Sequence, residues 1–171
     1  MIRSERTIIA PFDMKDLNDY FNGFSADITK FQWPDPFASV EEARSMLQGF
    51  LDEMDRGETL LLSILSQTDA FLGSVEVHGL QGDCPELGVW IVGQEQNKGY
   101  AYEALNAVLD YVRSAYHKDA FYYEVDRRNT GSIKLLRKLE EKYEIIEQEL
   151  EKLTTDSGKE LELQGYILKV R

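Results

Sequence analysis

Glu86-Leu-Gly-Val-Trp-Ile-Val92 runs into Gly93-Gln-Glu-Gln-Asn-Lys-Gly-Tyr-Ala101, and an amphipathic pattern continues from there through Tyr111. A short apolar run thus ends in a polar turn that holds Gly99 at the start of a helix. The helix is the clearest in the chain: Ala101, Ala104, Leu105, Val108, Leu109 and Val112 recur at i, i+3, i+4, i+7, i+8 and i+11. The first turn of a helix leaves N–H donors without intrahelical partners, and the macrodipole adds partial positive charge at the same end. Glycine lets a ligand approach the backbone closely. The stretch is therefore suited to an anion, and a phosphate-bearing cofactor is the expected occupant.

Working outward, Ala120 to Val125 reads as a strand with Phe121, Tyr123 and Val125 on one face. Strand, helix and strand with short links make a βαβ unit, so these two strands should be parallel with a right-handed crossover. Asn129 and Thr130 can cap a further helix carrying Ile133, Leu135, Leu136 and Leu139, and Tyr143–Leu153 and Leu161–Val170 read as a closing hairpin around Asp156-Ser-Gly-Lys159. Upstream, Arg6 to Ala10 is a short strand closed by Pro11, and Asp13 caps a helix through Asp16, Leu17 and Tyr20 that stops near Gly23. Phe24 to Phe37 is loop-like yet holds Phe24, Phe31, Trp33 and Phe37. It is either a cover over a pocket or a plug at the end of the core. Ser39-Val-Glu-Glu42 is a capping box opening a helix with Ala43, Met46, Leu47, Phe50, Leu51 and Met54, ended by Gly57. Leu60–Leu65 and Phe71–Val77 are strands joined by a turn at Thr68-Asp-Ala70, and the loop His78–Pro85 leads to the strand Leu87–Val92. The expected fold is a single α+β domain over residues 1–171, a mixed, mostly antiparallel twisted sheet of about six to seven strands flanked by about four helices, with the parallel βαβ unit at its centre.

At 171 residues the chain can bury a substantial core, and 43% apolar with 11% aromatic residues places it among folded globular proteins. The formal charge of −12 argues against general nucleic-acid binding, which depends on Lys and Arg neutralising phosphates. It favours cationic or amine partners through long-range steering, although acidity for solubility alone explains it equally well. Cys84 is the only cysteine and sits in a Gly-Asp-Cys-Pro turn without an activating base; His78 and His117 are too few and too separated for a metal cluster. The N-terminus lacks the apolar run of a signal peptide, and no apolar stretch reaches the roughly 18 residues of a membrane span, so the expected location is cytoplasmic, with no membrane partner.

The phosphate site can be narrowed. A P-loop needs a hydroxyl after its lysine, but here Lys98 precedes Gly99; a dinucleotide fingerprint needs Gly-x-Gly-x-x-Gly, which Gly88, Gly93 and Gly99 do not give. Gln96-Asn-Lys-Gly-Tyr-Ala101 does have the form Gln/Arg-x-x-Gly-x-Gly/Ala. With the strand before it, the helix and strand after it, and Asn129-Thr-Gly-Ser132 opening the next helix, this resembles the acetyl-CoA signature of the GNAT-type N-acetyltransferases. The likeness runs in detail from Glu86 to Leu139 and is closest to the branch containing the ribosomal-protein N-terminal acetyltransferases.

The resemblance implies the acyl-CoA N-acyltransferase fold, acetyl-CoA as co-substrate without a metal, and an amine acceptor that is a protein N-terminus or a small molecule. A homodimer is an allowed assembly. It also implies residue roles. Gln96 opens the signature, and backbone N–H groups from Asn97 through Lys98, Gly99, Tyr100 and Ala101 would cradle the pyrophosphate. Lys98 is placed to add charge, although a solvated lysine is the plainer reading of it. The strand with Val89, Trp90, Ile91 and Val92 would splay from its parallel neighbour and pair with the pantetheine arm, and Asn129 would bind that arm or simply cap its helix. Direct acetyl transfer needs an amine base and a proton for the leaving thiolate, but no covalent enzyme intermediate. Glu86 is the first candidate base, against a structural role at the strand edge; Glu76 is second. Many family members carry a tyrosine seven residues after the asparagine, where this chain has Leu136, and Ser132 is the stand-in that the branch implies. The family's Leu-Gly-Phe is also replaced by Leu139-Glu-Glu-Lys-Tyr-Glu144, which leaves the helix end open. Two other classes compete with the enzyme: a catalytically silent acyl-CoA sensor, kept open by Leu136, and a nucleotide-binding regulatory domain, disfavoured by both failed motifs.

Overall fold

The protein is described by a computed structural model covering residues 1–171. In chain order its elements are β1 (Ile2–Arg3), β2 (Thr7–Pro11), α1 (Leu17–Gly23), α2 (Ala26–Thr29), α3 (Val40–Asp55), β3 (Thr59–Ser66), β4 (Phe71–His78), β5 (Glu86–Ile91), α4 (Tyr100–Tyr116), β6 (Ala120–Asp126), α5 (Thr130–Leu139), β7 (Tyr143–Thr154) and β8 (Glu160–Val170). All strands join one sheet in the order β1-β2-β3-β4-β5-β6-β8-β7, and only β5–β6 is parallel. The expected α+β class and central βαβ unit are both present. The sheet exceeds the expected strand number because a two-residue β1 pairs with β2, and the helices exceed theirs because the aromatic segment contains the single turn α2. Neither element is long enough to leave a periodic signature.

The sheet separates two apolar clusters. Alternation along β3 divides its residues: Leu60, Leu62 and Ile64 join the cluster under α4 and α5, and Leu61 joins the one under α1 and α3. Burial on both faces explains why β3 reads as a nearly continuous apolar run. On the α4 side, Ala104, Leu105, Val108, Leu109 and Val112 form the fully buried stripe that the sequence spacing predicts. On the other side α3 packs through Ala43 and Leu47, and Ser39 Oγ caps its first turn at 3.1 Å from the Glu42 N–H.

Two helix ends close without the usual glycine. His117 ends α4 in the left-handed region at φ 55°. Where the family's glycine is absent, α5 stops at Leu139, and the side chain of Arg171 donates to the Glu140 carbonyl at 3.0 Å. A side-chain donor from the C-terminus thus satisfies a carbonyl orphaned at the helix end.

What positions the site is the parting of β5 from β6. The parallel ladder holds only at Glu86↔Tyr122 and Leu87↔Tyr123, whereas β4 follows β5 along its whole length, from His78↔Glu86 to Gly73↔Ile91. From Gly88 to Ile91 the edge of β5 facing β6 therefore has no strand partner.

Candidate active site

Two clefts meet where the strands part. The first, about 550 Å³, lies over the start of α4 and α5; the second, about 560 Å³, lies on the other side of the β5–β6 opening. They share Val89, Trp90, Asn129 and Ser132, together with Phe31 and Gln32 of the aromatic segment.

The first cleft holds the signature loop. Asn97 and Gly99 adopt positive φ, 61° and 87°, so successive N–H groups turn toward one side. The backbone N–H groups of Asn97 through Tyr102 have no acceptor in the protein; the first α4 hydrogen bond is Glu103 N–H to the Gly99 carbonyl, at 3.1 Å. Gln96, Asn97, Gly99, Tyr100 and Ala101 line this cleft, with Val89, Trp90 and Ile91 from β5. Val92 does not line it: its side chain is buried in the cluster under α1. Lys98 does not line it either, and its ammonium pairs with Glu95 at 2.8 Å, as a surface lysine does. Gln96 Nε2 donates to the Ile91 carbonyl at 3.3 Å and so ties the loop to the end of β5.

Sequence reasoning missed the residue that holds this loop. Arg6, just before β2, donates from its Nε to Glu103 Oε2 at 2.8 Å and from its Nη1 to the Lys98 carbonyl at 2.9 Å, and its guanidinium lies 4.7 Å from the Tyr100 ring centroid. Its backbone N–H and Ser4 Oγ both donate to Glu103 Oε1 at 2.6 Å. Burial alone would raise the Glu103 carboxyl, but the hydrogen bonds from Ser4 and Arg6 outweigh it and hold the group below its ordinary value. The cleft also has Lys134 and Lys138 on its wall, with Lys138 5.5 Å from the Tyr102 ring centroid. Their i, i+4 spacing on the polar face of α5 was the signal available for them.

At the junction, Asn129 caps α5: its Oδ1 accepts from the Ser132 N–H at 3.2 Å, while its amide nitrogen has no partner in the protein. The capping role and a place on the cleft wall thus coexist. Leu136 is buried among Leu135 and Leu139 in the core under α5.

The second cleft combines aromatic rings with carboxylates. Phe24, Phe31, Trp33 and Phe37 of the 24–37 segment line it beside Tyr20, Phe50 and Trp90. Trp90 anchors this wall, with ring centroids 5.0 Å from Tyr20 and 5.3 Å from Phe24. The segment is thus a wall of a pocket, and Phe24 and Phe37 also belong to the core cluster beneath it.

Glu76, Glu86, Glu124 and His78 all face this cleft. Both oxygens of Glu76 are engaged: Tyr20 Oη donates to Oε1 at 2.8 Å, and His78 Nε2 lies 3.2 Å from Oε2. His78 Nδ1 is 3.4 Å from Thr59 Oγ1, whose single proton goes to Glu53 Oε2 at 2.7 Å. Both ring nitrogens therefore face acceptors, which suits an imidazolium. The Glu76 hydrogen bond is the main cause that raises the His78 value, against opposing desolvation. Glu124 accepts from Tyr122 Oη at 2.8 Å. Glu86 alone accepts no hydrogen bond from the protein. Loss of hydration against the cleft walls pushes its carboxyl above the ordinary value, Glu124 adds to this, and His78 opposes it. The structure thus separates the two candidate bases: Glu76 is held by its neighbours, and Glu86 is free.

Cys84 is exposed, lies on neither cleft, and has its thiol pushed up by desolvation. No helix is long and apolar enough to cross a membrane.

Comparison with known proteins agrees with this geometry. The chain is 27% identical over 153 residues to an uncharacterised N-acetyltransferase, p20, of Bacillus licheniformis, covering 87% of this chain and 86% of that protein. Among solved structures, the spermidine N-acetyltransferase of Vibrio cholerae, in complex with CoA and spermine, superposes with a TM-score of 0.78 at 17% identity over 95% of both chains. RimJ of Mycobacterium smegmatis, in complex with CoA-disulfide, gives 0.78 at 19% identity over 95% of this chain and 81% of that one. These likenesses carry the fold. The acetyltransferase (GNAT) domain matches residues 6–140, and the chain belongs to that family of acetyltransferases.

Proposed function

We propose that the protein transfers the acetyl group of acetyl-CoA to a primary amine by direct attack. The observation that carries this reading is the parting of β5 from β6 after Leu87, which joins a cleft rich in free N–H groups to a cleft rich in carboxylates.

The residues present suit the cofactor. The unpartnered N–H groups from Asn97 to Tyr102 provide the dipolar cradle that a pyrophosphate needs, and Lys134 and Lys138 are cations on the same wall. The free edge of β5 offers strand-type hydrogen bonds to an amide-containing arm. Acetyl-CoA, when bound, supplies the activated acetyl thioester. The protein's own part is to orient the amine and move protons. An ammonium entering the second cleft meets Glu76, Glu86 and Glu124, and Glu86 is the one of the three that accepts no hydrogen bond from the protein and whose carboxyl is raised, so it takes the amine's proton. Ser132, at the junction of the clefts, is the hydroxyl available to donate on the thiol side. The remote position of Cys84 supports a mechanism without an acyl-enzyme.

Aromatic faces beside acids suit an acceptor with cationic and apolar parts, the chemistry of a polyamine or of a peptide N-terminus. The spermidine N-acetyltransferase of Vibrio cholerae, in complex with CoA and spermine, acts on an acceptor of the first kind. A second reading, a silent acyl-CoA sensor, draws on Leu136, which puts an apolar core residue where a tyrosine acid is expected. Thiol release from acetyl-CoA across a panel of polyamines, peptides and amino sugars separates the two, with product masses to prove acetylation. Turnover on an amine supports the enzyme; tight CoA binding with no turnover on any acceptor supports the sensor.

A further inference from the structure

The aromatic segment is tied to the far end of the chain. Asp35 accepts from Thr155 Oγ1 at 2.9 Å, from Ser157 Oγ at 2.8 Å and from the Ser157 N–H at 3.0 Å, all in the turn between β7 and β8. Lys159, at the end of that turn, donates to the carbonyls of Thr29 and Gln32 at 2.7 Å each and sits 3.5 Å from Asp35. Arg128 stacks 5.1 Å from the Phe31 ring centroid. Partial desolvation would raise the Asp35 carboxyl, but the hydrogen bonds from Ser157 and Thr155, with the Lys159 charge, hold it at about 2. The ties therefore persist across the ordinary pH range.

The two ties act on different parts of the segment. Asp35 lies among Trp33, Pro34 and Phe37, which line only the second cleft. The carbonyls held by Lys159 flank Lys30, which lines the first cleft, and Phe31 and Gln32, which line both. Leu153 and Leu163, from the hairpin itself, complete the second cleft.

We propose that the β7–β8 turn is a latch that sets the acceptor cleft, with Asp35 and Lys159 as positioning residues: Asp35 fixes the wall that meets the acceptor, and Lys159 fixes the wall shared with the cofactor. This rests on the acetyltransferase reading above for its kinetic consequence, but not for its structural one. Without the latch the aromatic wall must order itself on binding, a cost that appears in apparent affinity and leaves the chemical step alone.

Kinetics and hydrogen exchange on the full chain test it together. Asp35→Ala should raise the acceptor KM by roughly fivefold or more while CoA affinity stays within about twofold, and Lys159→Met should weaken both. An acceptor KM unmoved by Asp35→Ala, or an equal loss of CoA affinity in that variant, overturns the assignment. Should the wild type acetylate no amine, the function proposal fails and the latch is judged by exchange alone. The hydrogen-bonded amides on either side of Asp35, Gln32 and Ala38, should then exchange roughly tenfold faster in Asp35→Ala, with those of α4 unchanged. Unchanged exchange at Gln32 and Ala38 overturns the latch whatever the activity.

Discussion

Gly73 lies backbone to backbone against Trp90: a Cβ at position 73 would fall 2.1 Å from the Trp90 carbonyl oxygen and 2.9 Å from Ile91 Cα. The contact sits where the β3–β4 register shifts, opposite Ile64 and Leu65. Neither neighbour is the tip of a flexible side chain, so β4 and β5 must move apart to admit any other residue. Gly73→Ala is expected to cost about 2–4 kcal/mol of stability and to weaken CoA binding, because the displaced strand carries the free edge at the site. Urea denaturation and CoA titration read the two effects. An unchanged midpoint would show that the strands are not locked at this point.

Gly99 caps α4 at φ 87°, a conformation that costs a side-chain-bearing residue about 1–2 kcal/mol, and a Cβ there would lie 3.2 Å from Arg6 Nη2. Gly99→Val should reduce CoA affinity by about tenfold or more, since the N–H groups of the loop can no longer all face one side. Circular dichroism should remain that of the folded protein. Normal CoA affinity would move the cofactor away from this loop.

Arg6 offers an independent probe of the same loop. It grips Glu103 and the Lys98 carbonyl from one planar guanidinium while covering Tyr100. Arg6→Ala should weaken CoA several-fold, and Arg6→Lys should not restore it, because an ammonium cannot make both contacts and stack. Restoration by lysine would reduce the role of Arg6 to charge.

These predictions mark what was legible in the sequence. The α4 stripe, the strand before it and the signature loop could be read because period and turn chemistry agree there over a long stretch. The parting of β5 from β6 came from the family resemblance and not from any pattern in Val89–Val92. Arg6, Asp35 and Lys159 were illegible because each acts on a segment about a hundred residues away, and a lone polar residue in a loop carries no period. The two candidate bases could not be separated because the difference lies in partners: Tyr20 and His78 claim Glu76, and nothing claims Glu86.

That difference sets the kinetics expected of the two carboxylates. Glu86→Gln should lower kcat by about a hundredfold or more with CoA affinity unchanged, and should remove the acid limb of the pH profile. The limb belongs to a carboxyl raised above its ordinary value, so wild-type activity should fall as pH drops through that raised value. Glu76→Gln should act mainly on acceptor KM, because it disturbs Tyr20 and His78 and leaves Glu86 in place. Equal effects of the two substitutions, or a pH profile unaltered by Glu86→Gln, would remove Glu86 from the role of base.

His78 makes a prediction about stability that does not depend on turnover. Its hydrogen bond to Glu76, helped by the charges of Glu86 and Glu53, outweighs desolvation and raises its value in the folded state. A group raised on folding stabilises fully below its unfolded value, about 6.5, and loses that contribution as pH rises through the folded value. The wild type should therefore lose stability in denaturant titrations as pH rises from about 6.5 through the raised folded-state value of His78. His78→Gln, which cannot carry the charge, should be less stable than wild type at the lower pH and lose less across the interval. Carboxyls held low, such as Glu103 and Asp126, titrate on the acid side of this window, and the raised tyrosines on its alkaline side. Parallel curves for wild type and variant would mean that the imidazole is not ion-paired, and the charge pattern assigned to the acceptor cleft would have to be redrawn.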